Sequence, residues 1–460
     1  METADPNPEA FTEESGYSVE YLKTLSSSDI AQLDSKILAS TPPVDLANAV
    51  ERFDVDTRRA LLRRVPDSVA TEILSEMEVE EAAEVFGAMR EHRALRILSD
   101  FDPDDATDVF AELEDDKRDN FLSKMEPESA QTVKELLEYD PDSAGGIMTP
   151  EVCEIRDNMS VDEAINEIRR QAAELETIYY VYVVDSNGIL VGVISMRDLL
   201  ITSPKAAIAA HMKTNILGTL TPETDKEDAA LLMAEYNLIA LPVVGTDGKL
   251  LGIVTHDDVI DILQDEATED IQKLVGAGGD ESPNDEILYS LGKRFPWLVV
   301  NLVTASLAAG VVSLFQGQIE ANTFLAVFMP VIAGTGGNTG AQTLAVMIRG
   351  LALDDIHNAD LFKIYFRETI KGLCNGLGVG LFAALAAFII KQDLQISLVV
   401  WTAMTLNMGL AGFIGSFIPL TLKRFKLDPA QSSTIFLTMV TDSAGFLIFL
   451  GLAAWLIPQI

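Results

Sequence analysis

The sequence predicts a multidomain chain: an all-α solenoid-like N-terminal domain, a tandem α/β module, an acidic connecting helix and an all-α domain of five membrane spans. Three observations predict it. Short motifs recur every 24 residues between 53 and 128, one longer pattern occurs twice between 146 and 264, and five long apolar runs follow residue 294. A length of 460 residues exceeds a single hydrophobic core, so several domains are required.

Charge divides the chain in two. It has 33 Lys and Arg against 71 Asp and Glu, a net charge of −38. Residues 295–460 hold eight of each sign, leaving 25 basic and 63 acidic groups in residues 1–294. So acidic a surface excludes nucleic acid as a partner and disfavours docking on an anionic leaflet. Residues 1–24 read as a disordered acidic tail with no secretion signal. Cys153 and Cys374 fall one in each half, which argues against a disulfide between them.

Residues 25–140 carry the short repeat. Phe53-Asp-Val-Asp, Met77-Glu-Val-Glu, Phe101-Asp-Pro-Asp and Met125-Glu-Pro-Glu recur at 24, with Val65, Met89 and Leu113 at the half-period. Proline and carboxylates suit the first turns of helices, so the region reads as stacked short helices. An acidic interaction scaffold would look the same.

Residues 146–264 hold two copies of a helix–strand–turn–strand–helix pattern, at 146–200 and 210–264. Val181-Tyr-Val-Val-Asp185-Ser-Asn-Gly188 in the first matches Leu241-Pro-Val-Val-Gly245-Thr-Asp-Gly248 in the second. The Asn-Gly and Asp-Gly pairs are hairpin turns. Gly192/Ser195/Asp198 and Gly252/Thr255/Asp258 complete a signature that closely resembles a tandem CBS (Bateman) module. That resemblance implies that Ser195, Asp198, Thr255 and Asp258 hold the ribose and phosphates of an adenine nucleotide such as ATP. Capping of the following helix is the other reading of the same residues.

A linking helix is expected over 256–282. Asp258, Asp261, Asp265 and Glu269 stand three and four apart, so one face carries four carboxylates that repel unless cations intervene. Oxygen clusters of this kind suit Mg2+ or Ca2+, and a solvated acidic face is the plain alternative. The four histidines show no zinc-ligand spacing.

Residues 290–460 contain apolar runs at 295–319, 321–348, 372–390, 396–422 and 429–460, each near the ~20 residues that cross a bilayer. With the acidic half inside, nine Lys and Arg flank the inner ends and only Lys391 lies outside, so the N-terminus is in and the C-terminus out. Asp442 is the one ionisable group within these five runs. A carboxylate there costs about 2.5–3.5 kcal/mol on insertion scales, and marks either a cation or proton site or a neutral, helix-pairing acid. Thr434 and Thr438 precede it on the same face. Pro330 and the Gly334–Gln342 stretch, with Gly337 and Asn338, predict an interrupted second span beside a watery cavity. Gly372, Gly376 and Gly380 form a small-residue packing seam.

This order of parts resembles the MgtE family of magnesium channels, from about residue 25 to the end. The resemblance implies a homodimer in an inner membrane with a Mg2+ pore on the dimer axis. Asp442 would stand at its narrow part, Gly337 and Asn338 would line it, and the linking helix would be a plug that closes when internal Mg2+ is high. It leaves open whether Ala341 and Thr343 affect selectivity. Mg2+ would be both cargo and inhibitor. Two other readings stay open: a Na+- or H+-coupled divalent-cation exchanger, and a membrane-anchored sensor of adenine nucleotides. No motif for phosphoryl transfer or hydrolysis is present, so an enzyme is not expected.

Overall fold

A computed structural model describes residues 11–12, 16–26, 29, 33–172, 175, 178, 180–279, 281–283, 287–353, 356, 361–431 and 433–457. The chain divides into two compact units, residues 1–263 and 264–460.

The first unit opens with a small hairpin, β1 (Phe11–Thr12) and β2 (Gly16–Tyr17), and α1 (Val19–Thr24). Tyr17 and Leu22 are buried in the helical core, so residues 16–24 belong to the domain and not to the expected tail. Residues 1–10 of that tail lie outside the described residues. Next come α2 (Ser35–Leu38), α3 (Pro43–Val50), α4 (Val55–Leu62), α5 (Asp67–Ser75), α6 (Val79–Ala88), α7 (Glu91–Leu98), α8 (Pro103–Glu112), α9 (Asp115–Leu122) and α10 (Pro127–Leu136).

The 24-residue period is a helix pair. Helices α4, α6, α8 and α10 start at 55, 79, 103 and 127, and α5, α7 and α9 at 67, 91 and 115. The first-turn logic holds: Asp54 accepts from the Thr57 N–H at 2.9 Å, and Pro103 and Pro127 occupy first helical positions. Each helix packs on the next but one, α4 on α6, α6 on α8 and α8 on α10. The motif residues Met77, Phe101 and Met125 and the half-period residues Val65 and Leu113 are buried between them. Arginines tie successive turns, as where Arg93 bonds Asp67 at 2.8 Å and the Leu62 carbonyl at 2.7 Å.

The tandem module follows. Its first copy is β3 (Glu154–Arg156), α11 (Val161–Gln171), β4 (Tyr180–Val184), β5 (Leu190–Ser195) and α12 (Met196–Ile201), and its second is α13 (Lys226–Tyr236), β6 (Ala240–Val244) and β7 (Leu250–Thr255). The hairpins match in register, Val183 opposite Gly192 and Val243 opposite Gly252, each with the same bulge. Gly188 and Gly248 make their turns at φ +80° and +81°, where a side chain would strain the backbone. The opening segments are exchanged. Thr149 bonds Ile253 of the second copy in both directions at 2.9 Å, and Lys213 pairs with Val193 of the first at 2.9 and 3.0 Å. Gly192 and Gly252 admit those crossings, since a Cβ on either would press on the sulfur of Met212 or Met148.

Helix α14 (His256–Val275) starts directly after β7 and ends at Val275, seven residues before the expected 282, because the next residue, Gly276, takes φ +77°. The division between the units falls within it.

The second unit contains α15 (Ile287–Ser313), a short α16 (Gln316–Ala321), α17 (Phe324–Ala352), α18 (Leu361–Lys391), α19 (Leu394–Arg424) and α20 (Ser433–Leu456). The first apolar run is thus divided between α15 and α16. Helices α15, α18, α19 and α20 are long and apolar enough to cross a membrane. Helix α17 has the length, 29 residues, but its glycines and amides lower its apolar character. It is continuous, which corrects the expected interruption. Pro330 removes one donor without breaking the helix, and the Thr335 and Thr339 hydroxyls add bonds to the Val331 and Thr335 carbonyls one turn back, at 2.7 and 2.8 Å. Helix α19 packs against α17, α18 and α20 and so forms the centre of the unit. The glycine seam is present: on Gly376 a Cβ would lie 2.6 Å from the Thr405 Cα, and Gly372 and Gly412 meet the opposite backbone directly.

Candidate functional site

Three sets of polar groups stand out, one in the first unit and two in the second. The first lies where α8 meets the start of α14. Asp104 and Asp108 are one turn apart on α8, and both feel the charge of Asp258. Asp104 is held well above the usual carboxylate range, by burial first and then by Asp105 and Asp258. Its Oδ1 is buried with no hydrogen-bond partner. Asp108 keeps solvent on one side, yet crowding by protein and then Asp258 push it up to about 6. Asp258 is raised by burial, against the pull of the Thr255 hydroxyl, which donates to it at 2.6 Å.

Sequence alone singles out neither Asp104 nor Asp108: Asp104 reads only as a first-turn acid of the repeat, and Asp108 lies further along the same helix. Of the four carboxylates expected on the linking helix, Asp258 is drawn into this contact and Asp261 is exposed. In the second unit Asp265 is exposed and Glu269 is paired with Lys273. Among the described residues no group of three or more His, Cys, Asp or Glu side chains is arranged to hold an ion directly. Carboxylates near one another without a tight cage fit a hard cation that keeps its water shell.

The nucleotide positions of the tandem module are engaged locally. The Ser195 hydroxyl caps α12, accepting from the Asp198 N–H at 3.1 Å, and Thr255 is buried against Asp258. Ser195 is thus an N-cap, whereas Thr255 is held by the Asp258 side chain.

The second set is at the start of the second unit. Lys273 pairs with Glu269 and reaches Asp428 at 3.0 Å. Burial opposes its charge, but the bonds to Glu269 and Asp428 hold the ammonium above its ordinary range. Asp270 is raised by burial and by Asp428. Gln272 and Glu281 exchange two hydrogen bonds, at 2.8 and 3.0 Å, and the buried Glu281 carboxylate takes Arg294 of α15 in a fork. Gly276 sits against Trp297 and Ile435. The last turns of α14 are thus clamped to the ends of α15 and α20.

The third set is at membrane depth. Thr434, Thr438 and Asp442 are half-buried along one face of α20. Gly337 faces them: a Cβ there would lie 3.9 Å from the Thr438 methyl. Asn338 and Gln342 are exposed on α17, as is Gly334. Asp442 is not the sole acid in these helices, because α18 begins eleven residues before its apolar run and includes the buried Glu368, paired with Lys371 at 2.5 Å. Asn407 of α19, fully buried behind Gly336, was also missed. An amide in the middle of an apolar run was the signal for it.

Comparison with known proteins decides what these sets belong to. A family described as divalent cation transporter matches residues 329–452, the MgtE intracellular N domain matches 41–142, and the CBS domain matches 144–204 and 207–265. The magnesium transporter MgtE of Thermus thermophilus is 38% identical over 335 residues, 71% of this chain and 73% of its own length. The chain belongs to the MgtE family. The Enterococcus faecalis magnesium transporter MgtE is 36% identical, over 70% of this chain and 71% of its own. A solved cytosolic domain of the Mg2+ channel MgtE in complex with ATP is 36% identical and covers 50% of this chain and 93% of its own, with a TM-score of 0.48. As an MgtE protein the chain is a transporter and not an enzyme, an integral membrane protein whose N domain is intracellular. The transporter match spans Gly337, Asn338, Asn407 and Asp442.

Proposed function

We propose that this MgtE protein is a Mg2+-selective channel for passive influx, closed by Mg2+ on its cytosolic side. One observation carries the reading. Asn338 and Gln342 are exposed on a helix embedded among apolar ones, next to the half-buried Thr434, Thr438 and Asp442. Amides facing lipid are costly, so such a stripe calls for water or a second polar surface. A second copy of the chain, meeting it across a twofold axis, supplies both. Two Asp442 carboxylates would then flank a wet passage, with Gly337 and Asn338 opposite them holding the hydration shell. Mg2+ sheds its water reluctantly and binds through one or two carboxylates, which suits this set. At about −100 mV inside, a divalent ion gains roughly 4.6 kcal/mol on entry, so no coupling ion or ATP is needed.

Closure rests on the acidic contacts. At neutral pH the Asp104, Asp108 and Asp258 group repels itself, and bound Mg2+ relieves the repulsion and favours the compact form. Asp270 and Asp428 repel one another in the same way where α14 ends, beside the Lys273 that bridges Glu269 and Asp428. The transported ion thereby limits its own entry, in an inner membrane with the C-terminus outside. Ser195 caps α12 and Thr255 bonds Asp258 in this cycle, and a nucleotide would have to displace those bonds to use them.

The test is Mg2+ current through the purified protein in liposomes, with Mg2+ stepped on the cytosolic face. Asp442→Asn should abolish Mg2+ current, and current that survives the change would remove the pore assignment. Flux that needs a Na+ or H+ gradient would favour an exchanger instead.

A further inference from the structure

Asn407 lies in the middle of α19, in the packed centre of the membrane unit, with no exposed surface. Its Nδ2 donates to the Ile332 carbonyl of α17 at 3.1 Å, while its Oδ1 is buried without a partner. Leucine has the same branching and the same number of side-chain heavy atoms and would leave no unpaired acceptor, so an apolar packing role does not account for an amide here. What distinguishes the amide is where it is wedged. A Cβ on Gly336 of α17 would overlap its nitrogen, and a Cβ on Gly445 of α20 would lie 2.7 Å from that nitrogen and 3.1 Å from the oxygen. The two helices therefore pack on one and the same amide group, each through a glycine.

Those glycines adjoin the pore residues. Gly336 precedes Gly337 and Asn338, and Gly445 is one turn beyond Asp442. Helices are stiff, so the thickness of the wedge fixes the separation of Gly337 from Thr438 and of Asn338 from Asp442. The bond to Ile332 additionally stops α17 from sliding near Pro330. Mg2+ demands near-ideal octahedral surroundings, and an opening widened by a fraction of an ångström would no longer hold its shell more tightly than that of another cation.

We infer that Asn407 is a positioning residue for ion selection: it touches no ion, and sets the spacing of the second and fifth spans at the pore. The inference rests on the channel reading above and adds to it the residue that holds the selective geometry.

The experiment uses the full chain in proteoliposomes and reads the Mg2+-to-Na+ permeability ratio from reversal potentials, alongside thermal stability and yield. Asn407→Leu should fold and conduct, with the ratio lowered about tenfold or more, as expected when a supporting contact is lost. Gly445→Ala, which presses on the amide from α20, should lower it as well. Adding Asn407→Ser to Gly445→Ala makes room and should bring the ratio back towards wild type. If Asn407→Leu fails to fold, the Gly445 pair decides. Variants that lose stability but keep the wild-type ratio would overturn the inference and leave Asn407 a packing residue. Asp442→Asn separates the two failures. If it destroys Mg2+ preference while the Asn407 and Gly445 variants keep theirs, only the Asn407 role falls; if it leaves Mg2+ current intact, both fall.

Discussion

Asp108 and Asp258 hold their protons more tightly than free carboxylates do, and that has a direction in pH. An acid raised in the folded state stabilises it fully below its unfolded value of about 3.9, and the contribution is lost as pH rises through the folded value. For Asp108 that value is about 6. Without Mg2+, the first unit should therefore melt at progressively lower temperature between pH 5 and 7.5, and added Mg2+ should restore the loss. Asp108→Asn should flatten the dependence. A variant that follows the wild-type profile would remove Asp108 from the contact. At the same scale, Asp442 was legible because a charge in a long apolar run is conspicuous. Asp104 was not, because only its burial against Asp258 separates it from the other acids of the repeat.

Helices α18 and α19 meet through glycines from both sides, Gly372 and Gly376 on one and Gly409 and Gly412 on the other. A Cβ on Gly409 would lie 2.6 Å from Leu373, so neither surface has slack. Gly376→Leu should cost at least the ~1–3 kcal/mol of an overpacked site, since backbone is the obstacle. Unfolding in detergent measures it, and a loss well below that range would mean that the seam opens freely. Where α14 ends, Lys273 pairs with Glu269 and Asp428 and lies close enough to Asp270 to offset part of its charge. Lys273→Gln leaves three acids facing one another, so several-fold more Mg2+ should be needed for half-closure in liposome recordings. An unchanged midpoint would detach this contact from the gate.

For the whole molecule the outcome to test is a pair of chains. Cys153 and Cys374 are both free thiols, so a background lacking them can carry one reporter. Asn338→Cys in that background should form a disulfide-linked dimer on mild oxidation in membranes, since the two copies of this position would face one another across the axis. Monomer alone would sink the twofold pore. The −38 charge makes the same point from the cytosolic side. A half so acidic resists compaction on its own, and a divalent cation is the simplest counter-ion that couples its state to the ion being carried.

Periodicity and charge determined much of this protein from sequence alone. The 24-residue step, the doubled hairpin and the apolar runs are local patterns, and each follows from the spacing that a helix, a strand or a bilayer imposes. The tertiary structure decided what depends on neighbours far along the chain. It showed that α17 runs unbroken through Pro330 and its glycines, and that the opening arms of the tandem module cross to the opposite copy. It drew Asp104 and Asp108 up to Asp258, and it seated Asn407 between two glycines on different helices. None of these can be read along one element, because burial and pairing are properties of the packed chain.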